Sequence, residues 1–162
     1  MTDFTAIESL MRTITHMDFH SRPGPGSLSG WAGHGHGQVS VASARTPAGE
    51  SILRFHEQGE FTPEGADDRG MPFHNVYRWT FLGDRLALHH ERRGADEAVW
   101  LFDLVADARH EGLISASPHP CGEDSYRACL TAGEHGFELE WIITGPVKNE
   151  HLYYRYEGTR AS

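Results

Sequence analysis

A group of potentially reactive side chains lies close together in the last third of the chain. His119, Cys121, Asp124 and Tyr126 fall within eight residues of one another. A thiol beside an imidazole can act as a nucleophile, and an aspartate can orient a histidine through a charge-assisted hydrogen bond. Two interpretations stay open. The first is acid–base chemistry with His119 as the base, and the second is a structural turn that buries Cys121 as a small apolar side chain.

A second set of polar and aromatic side chains alternates along stretches with strong β-strand character. Aromatic walls with a few convergent polar groups are typical of ligand pockets. The residues predicted to line such a pocket are Tyr77, Arg78, Trp79, His90, Trp141, Lys148 and Tyr154. Lys148, in a Gly-Pro turn, could bind an acidic group, so the expected ligand is a small apolar or partly acidic molecule. The alternative is a solid aromatic core, with Arg78 in solvent outside it.

Glycine punctuates the predicted first strand, WAGHGHG. Gly33, Gly35 and Gly37 share one face and leave His34 and His36 on the other. Two such histidines can chelate a metal only with a third ligand from elsewhere, and none of the twelve histidines forms a HExxH pattern. The sequence therefore predicts no metal site from spacing, and any cofactor stays unknown. The glycines indicate that another group approaches this strand closely.

Composition limits the classes of function. The 162 residues are predicted to form one domain, residues 1–162, and the net charge of -9 argues against binding to nucleic acid or to an anionic membrane. Neither a membrane-spanning apolar run nor a signal peptide is evident. Two cysteines are too few for a disulfide framework and favour a cytoplasmic location.

Hydrophobic periodicity predicts the elements that position these side chains. Apolar residues recur at three- and four-residue steps near the N-terminus, which predicts one helix over about residues 4–19. Residues 20–30, rich in Pro and Gly, are predicted to form a loop. From 31 to 158 the pattern is that of β-strands joined by short turns, so neighbouring strands should be antiparallel. A mainly β barrel of about eight to ten strands is the expected fold, because closure removes exposed edges.

Three kinds of function are compatible with this barrel. The leading hypothesis is a binding protein for a small molecule, and an acid–base enzyme (isomerase, cyclase or hydrolase) that uses His119, Asp124 and Tyr126 is the second. The third is a haem- or metal-binding barrel. Whether the protein is an enzyme stays uncertain at this point. A docking module, most simply a homodimer, would instead require a contiguous exposed apolar patch.

The order of motifs from about Leu10 to Tyr156 resembles that of an uncharacterised bacterial and fungal family of small calycin-like barrels. The matching motifs are HEQGEF, YRW, VWLFDL, His-x-Cys-x-x-Asp-x-Tyr and Gly-Pro-x-Lys. The resemblance implies a lipocalin-like antiparallel barrel with an N-terminal α-helix and carries no particular activity. Asn149 and Glu150 stand where the family pattern has Asp-Tyr.

A shorter stretch is similar to nitrobindin, a barrel that binds haem through one histidine. The similarity lies in Trp31-x-Gly33-x-Gly35. It implies that His151, on the last strand, would be the axial ligand.

Overall fold

The structure is a computed structural model that describes residues 3–24, 32–65, 70–109, 112–116, 119–121, 124–146 and 149–158, with backbone only at residues 119–121 and 124. One helix and eleven strands form most of it. They are α1 (Phe4–Met11), β1 (Ile14–Pro23), β2 (Gly33–Arg45), β3 (Ser51–Pro63), β4 (Met71–Phe81), β5 (Arg85–His90), β6 (Val99–Ala106), β7 (Leu113–Ser115), β8 (His119–Cys121), β9 (Asp124–Ala132), β10 (Gly136–Thr144) and β11 (Asn149–Gly158). A single 3₁₀ turn, Ala95–Glu97, precedes β6.

The strands close into an antiparallel barrel, as predicted. β1 pairs with both β2 and β11, and β10 pairs with both β9 and β11, so the sheet returns to its starting point. All of the eleven strands except β8 belong to this ring, and β8 is attached to β9 as a short hairpin. Closure leaves one face of each strand inside, where it builds the core.

The N-terminal helix is shorter than the predicted helix over residues 4–19. α1 begins after Asp3, whose Oδ1 accepts a hydrogen bond from the Thr5 N–H at 2.9 Å, and ends at Met11. Ile14 and Met17 continue the apolar spacing, but they lie on β1 and both point inward. The register of β1 against β11 shifts between residues 14 and 16. Because of this irregularity, Ile14 and Met17 both face inward although they are three residues apart, which is the spacing expected of a helix. The barrel therefore starts at residue 14 rather than 31, and β1 occupies part of the predicted loop.

α1 covers one end of the barrel, which we call the helix end. Ile7 and Met11 are buried against the core, and polar contacts fix the helix to neighbouring strands. The Arg12 Nη1 donates to Ser43 Oγ at 2.6 Å, and Ser51 Oγ donates to Glu8 Oε2 at 3.0 Å. The opposite end, where β1 finishes and β4 begins, is called the distal end. Any entrance to the interior is therefore expected at the distal end.

Glycines let β2 and its neighbours approach closely, as the sequence indicated. A Cβ on Gly59 would lie 2.0 Å from the His36 carbonyl oxygen, and one on Gly35 would lie 2.3 Å from Cε1 of Phe19. The first contact is with backbone, so it cannot be relieved by a side-chain movement. The second shows that Gly35 makes room for an aromatic ring inside the barrel. His34 and His36 are exposed on the outer face.

No helix among the described residues is long and apolar enough to span a membrane.

Candidate functional site

Aromatic side chains from three strands meet inside the barrel. Tyr77 and Trp79 come from β4, Trp141 from β10, and Tyr154 and Tyr156 from β11, each at an alternate position that faces inward. Ring centroids lie 5.9 Å apart for Trp141 and Tyr154 and 6.2 Å apart for Tyr77 and Trp141. Four of these five residues were predicted to line a pocket, and all four are buried in the hydrophobic core. Tyr156 was not among the predicted pocket residues.

A carboxyl group lies at the centre of this aromatic shell. Glu57 occupies an inward position of β3, between Phe55 and Gly59, and its exposed fraction is 0%. The Tyr156 hydroxyl donates a hydrogen bond to Glu57 Oε2 at 2.7 Å. Among the described residues, Glu57 Oε1 has no hydrogen-bond partner, and no Arg or Lys forms an ion pair with this carboxyl. A buried polar atom without a partner costs about 1–3 kcal/mol, so this placement needs a reason.

Burial makes Glu57 a weak acid. Loss of hydration raises its pKa to about 8, although the hydrogen bond from Tyr156 acts in the opposite direction. At pH 7 the side chain is therefore mostly protonated, and it can donate a proton or a hydrogen bond. Burial also raises the pKa of Tyr154 and Tyr156, and the nearby Glu57 charge raises both further. These groups form one electrostatically coupled cluster.

The cluster has a deep layer and a layer nearer the distal end. The second layer contains Tyr77 and Tyr154, and burial raises the pKa of Tyr77 as well. Tyr77, Trp141 and Tyr154 keep exposed fractions of 8%, 6% and 7%, whereas Glu57 has none. Glu57 is therefore the fully buried member of the cluster.

Two indole N–H groups are also buried in the barrel interior. The Nε1 atoms of Trp79 and Trp141 have no hydrogen-bond partner among the described residues. Buried tryptophan N–H groups usually find an acceptor. Together with Glu57 Oε1, they give the interior two free donors and one further polar site. A molecule with both donor and acceptor atoms would satisfy them.

His90, another predicted pocket residue, lies beside Tyr77. Their ring centroids are 4.8 Å apart, and His90 Nε2 lies 3.2 Å from Asn75 Oδ1. Burial, and then the positive charge of Arg92, lower the pKa of His90, so it is neutral near pH 7. It extends the polar layer along β5 towards the distal end.

Phenylalanine side chains pack around Tyr154 on the distal side. Phe19 stacks on Tyr154 at 5.2 Å and on Phe61 at 5.6 Å, and Phe73 meets Phe19 edge-on at 5.5 Å. Phe19 and Phe73 are only partly buried. These rings place apolar, partly exposed side chains next to Tyr154.

Arg78 is separated from this cluster. It lies on the outer face of β4, where its Nη1 donates to Glu91 Oε2 at 3.2 Å. Arg54 shares the same carboxylate, with Nε 3.1 Å from Oε2. Since Tyr77 and Trp79 face inward, strand alternation directs Arg78 outward, and the predicted contact between Arg78 and a bound ligand has no support in this geometry.

The predicted catalytic group falls on the β8–β9 hairpin. Backbone pairing places His119 opposite Tyr126 and Cys121 opposite Asp124. Tyr126 is half-buried, whereas the side chains of His119, Cys121 and Asp124 lie outside the described residues. Lys148 also lies outside them. The roles predicted for this group stay predictions.

The remaining cysteine and the candidate metal ligands lie elsewhere. Cys129 is half-buried on β9, and burial raises the pKa of its thiol, which disfavours a reactive thiolate. His151 is exposed on the outer face of β11, where Nε2 contacts Glu140 Oε1. His34 and His36 are exposed as well. Within the described ranges, no group of three or more His, Cys, Asp or Glu side chains is placed to hold a metal ion.

An apolar groove lies on the outer face, at the seam where β7 is short. It has a volume of about 400 Å³ and includes Ile114 and Ile142, whose side chains are partly exposed. Val99 and Trp100 are exposed on β6. The predicted homodimer stays a prediction.

Sequence reasoning did not single out Glu57, although a signal was present. In SILRFHEQGEF, Glu57 shares a strand face with Leu53, Phe55 and Phe61. A single acidic residue on an otherwise apolar strand face indicates a buried carboxyl with a specific role. Its partner Tyr156 is 99 residues away in sequence, so only the closed barrel brings the two together.

This geometry defines the class of protein: a closed antiparallel barrel that encloses an aromatic cluster and a buried carboxyl group. The chain belongs to a family of unknown function (DUF6314), whose model matches residues 9–158. No curated protein matches the chain.

Proposed function

We propose that this protein is a calycin-like barrel that binds a small molecule in the distal half of its interior. Tyr77, Trp141 and Tyr154 form the walls, and Glu57 forms the floor. The observation that carries the proposal is a set of buried polar atoms without partners inside an aromatic shell: Glu57 Oε1 and the two indole Nε1 atoms. A cytoplasmic location, suggested by the two cysteines, is part of the same proposal.

A purely structural role explains the interior less well. An all-apolar core of the same shape would avoid the cost of each unpaired buried group, about 1–3 kcal/mol. Ligand pockets, in contrast, combine apolar walls with a few polar groups that fix the ligand's orientation.

Phenol is a suitable first probe, because it combines an aromatic ring with one hydroxyl group that can donate and accept. We expect the wild-type protein to bind phenol saturably in ligand-observed NMR titrations. Tyr154→Phe removes one hydroxyl and should weaken binding about threefold to tenfold, the equivalent of one hydrogen bond.

Tyr153→Phe is the matched control for this substitution. Tyr153 is adjacent in sequence but faces outward, and its hydroxyl donates to Glu138 Oε2 at 2.8 Å. Its removal should leave phenol affinity unchanged. Equal losses in both variants, or no saturable binding to the wild type, would contradict an interior site.

A further inference from the structure

We propose that the interior site takes a cationic ligand, an ammonium group on an apolar body, with Glu57 as its counter-ion. This inference rests on the proposed binding function and specifies its ligand. It differs from the expectation of a partly acidic ligand, which depended on Lys148. Arg78 is held outside the barrel by Glu91.

The first argument is the arrangement of rings around the carboxyl group. Tyr156 contacts Glu57 directly and stacks on Phe137 at 4.6 Å, and Phe55 meets Tyr156 at 5.5 Å. Tyr154 stacks 5.9 Å from Tyr156 on the distal side. Aromatic faces attract cations, and the attraction grows when the cation is desolvated. A carboxylate among aromatic faces is therefore a site suited to an ammonium group.

The second argument is that, among the described residues, no cation of the protein is paired with the carboxyl group. Buried carboxylates in proteins are normally paired with a cation or a metal. Glu57 is fully buried, yet among the described residues its polar contact is the Tyr156 hydroxyl alone, and Oε1 stays free. Arg54 on β3 and Arg78 on β4 are bound to Glu91 on the outer face. A cationic ligand can supply the partner that an ionised Glu57 needs.

The third argument concerns what must move. Glu57 has no exposed surface, so a ligand in the distal layer reaches it only if the covering side chains shift. Tyr154, which stacks on Tyr156 at 5.9 Å, is one of these side chains. A cation beside Glu57 Oε1 would gain a charge–charge attraction that low local polarity strengthens.

Binding of a cation would change the protonation of Glu57. The free carboxyl group is mostly protonated at pH 7, whereas beside an ammonium group the ionised form is favoured. The proton leaves to solvent, and the carboxylate and the ammonium group then form a neutral pair. Cation binding at pH 7 should therefore release close to one proton per ligand. A neutral ligand should release none.

The test compares two probes of the same shape that differ in charge. Phenyltrimethylammonium is the cation, and tert-butylbenzene is its neutral counterpart. We expect wild-type protein to bind the cation at least about tenfold more tightly, which is the range of a desolvated cation–π contact or ion pair. Calorimetry at pH 7 in phosphate and in Tris should show the proton release, since the two buffers differ in ionisation enthalpy.

Glu57→Gln and Glu60→Gln separate the site from the general charge of the protein. Both replace a carboxyl group on β3 with an amide, but Glu60 is exposed on the outer face. Glu57→Gln should lose the preference for the cation and the proton release while still binding tert-butylbenzene. Glu60→Gln should keep both properties.

Two results would overturn the inference. If the wild type binds tert-butylbenzene as tightly as the cation, the interior binds ligands but Glu57 is not a counter-ion. If the cation binds without proton release, or equally well to Glu57→Gln, it binds somewhere else. In the first case the proposed binding function still stands. Failure of the binding function itself would appear separately, as the absence of saturable phenol binding.

Discussion

Replacing Glu57 with Gln is expected to remove a decline in stability that the wild-type protein shows as the pH rises from about 5 to 8. The pKa of Glu57 is about 8 in the folded protein and has an ordinary value of 4.5. Because the folded state holds this proton more tightly, its contribution to stability is complete below about pH 4.5 and is lost as the pH rises through 8. Between these two pKa values the free energy of unfolding should fall by about 1.4 kcal/mol per pH unit, which is on the order of 5 kcal/mol in total.

Urea denaturation at a series of pH values measures this effect as the difference between wild type and Glu57→Gln. The difference is needed because burial lowers the pKa of His89 and His90, which makes stability rise with pH in the lower part of the same range. The other groups that face Glu57 are tyrosines with pKa values raised above 10, and they do not titrate in this window. Parallel pH curves for the two proteins would show that Glu57 is not a buried weak acid.

Trp79→Ala is expected to lower the free energy of unfolding by about 3–5 kcal/mol, the usual cost of truncating a fully buried aromatic side chain. Trp79 is 1% exposed and packs against Phe55 and Phe137, with centroids 6.0 and 6.1 Å away. Its Nε1 has no partner among the described residues, so no hydrogen bond is lost with the ring.

Trp100→Ala is the matched control. Trp100 is 42% exposed on β6, and its Nε1 donates to Asp103 Oδ1 at 2.9 Å. Its loss should cost about 1 kcal/mol, the net value of one hydrogen bond. If Trp79→Ala does not fold, Trp79→Phe, which keeps part of the ring volume, should be destabilised by an intermediate amount. Equal effects at both tryptophans would contradict the assignment of Trp79 to the core.

The barrel could be predicted from sequence because its signals are local. FELEWIITG alternates strictly, and in the structure Phe137, Leu139, Trp141 and Ile143 are buried on β10. Short turns between such runs predicted antiparallel pairing, which is confirmed. The extent of the helix was wrong because a β-bulge at residues 14–16 reproduces helical spacing.

The site could be predicted only in part. Tyr77, Trp79, Trp141 and Tyr154 followed from alternation, which identifies residues that share a strand face. The link between Glu57 and Tyr156 did not, because β3 and β11 meet only across the closed interior. Alternation also does not state which face is inside, and Arg78 was therefore placed with the ligand although it lies outside.

The central claim is that the barrel interior binds a small molecule beside Trp141 and Tyr154. The most direct measurement is an NMR titration of ¹⁵N-tryptophan-labelled protein with phenol, in which each indole N–H gives its own signal. Trp141→Phe and Trp100→Phe assign the two signals needed. We predict that the Trp141 signal shifts saturably, since its free Nε1 gains an acceptor, while the exposed Trp100 stays in place. An unchanged Trp141 signal, or a shift at Trp100 alone, would contradict the claim.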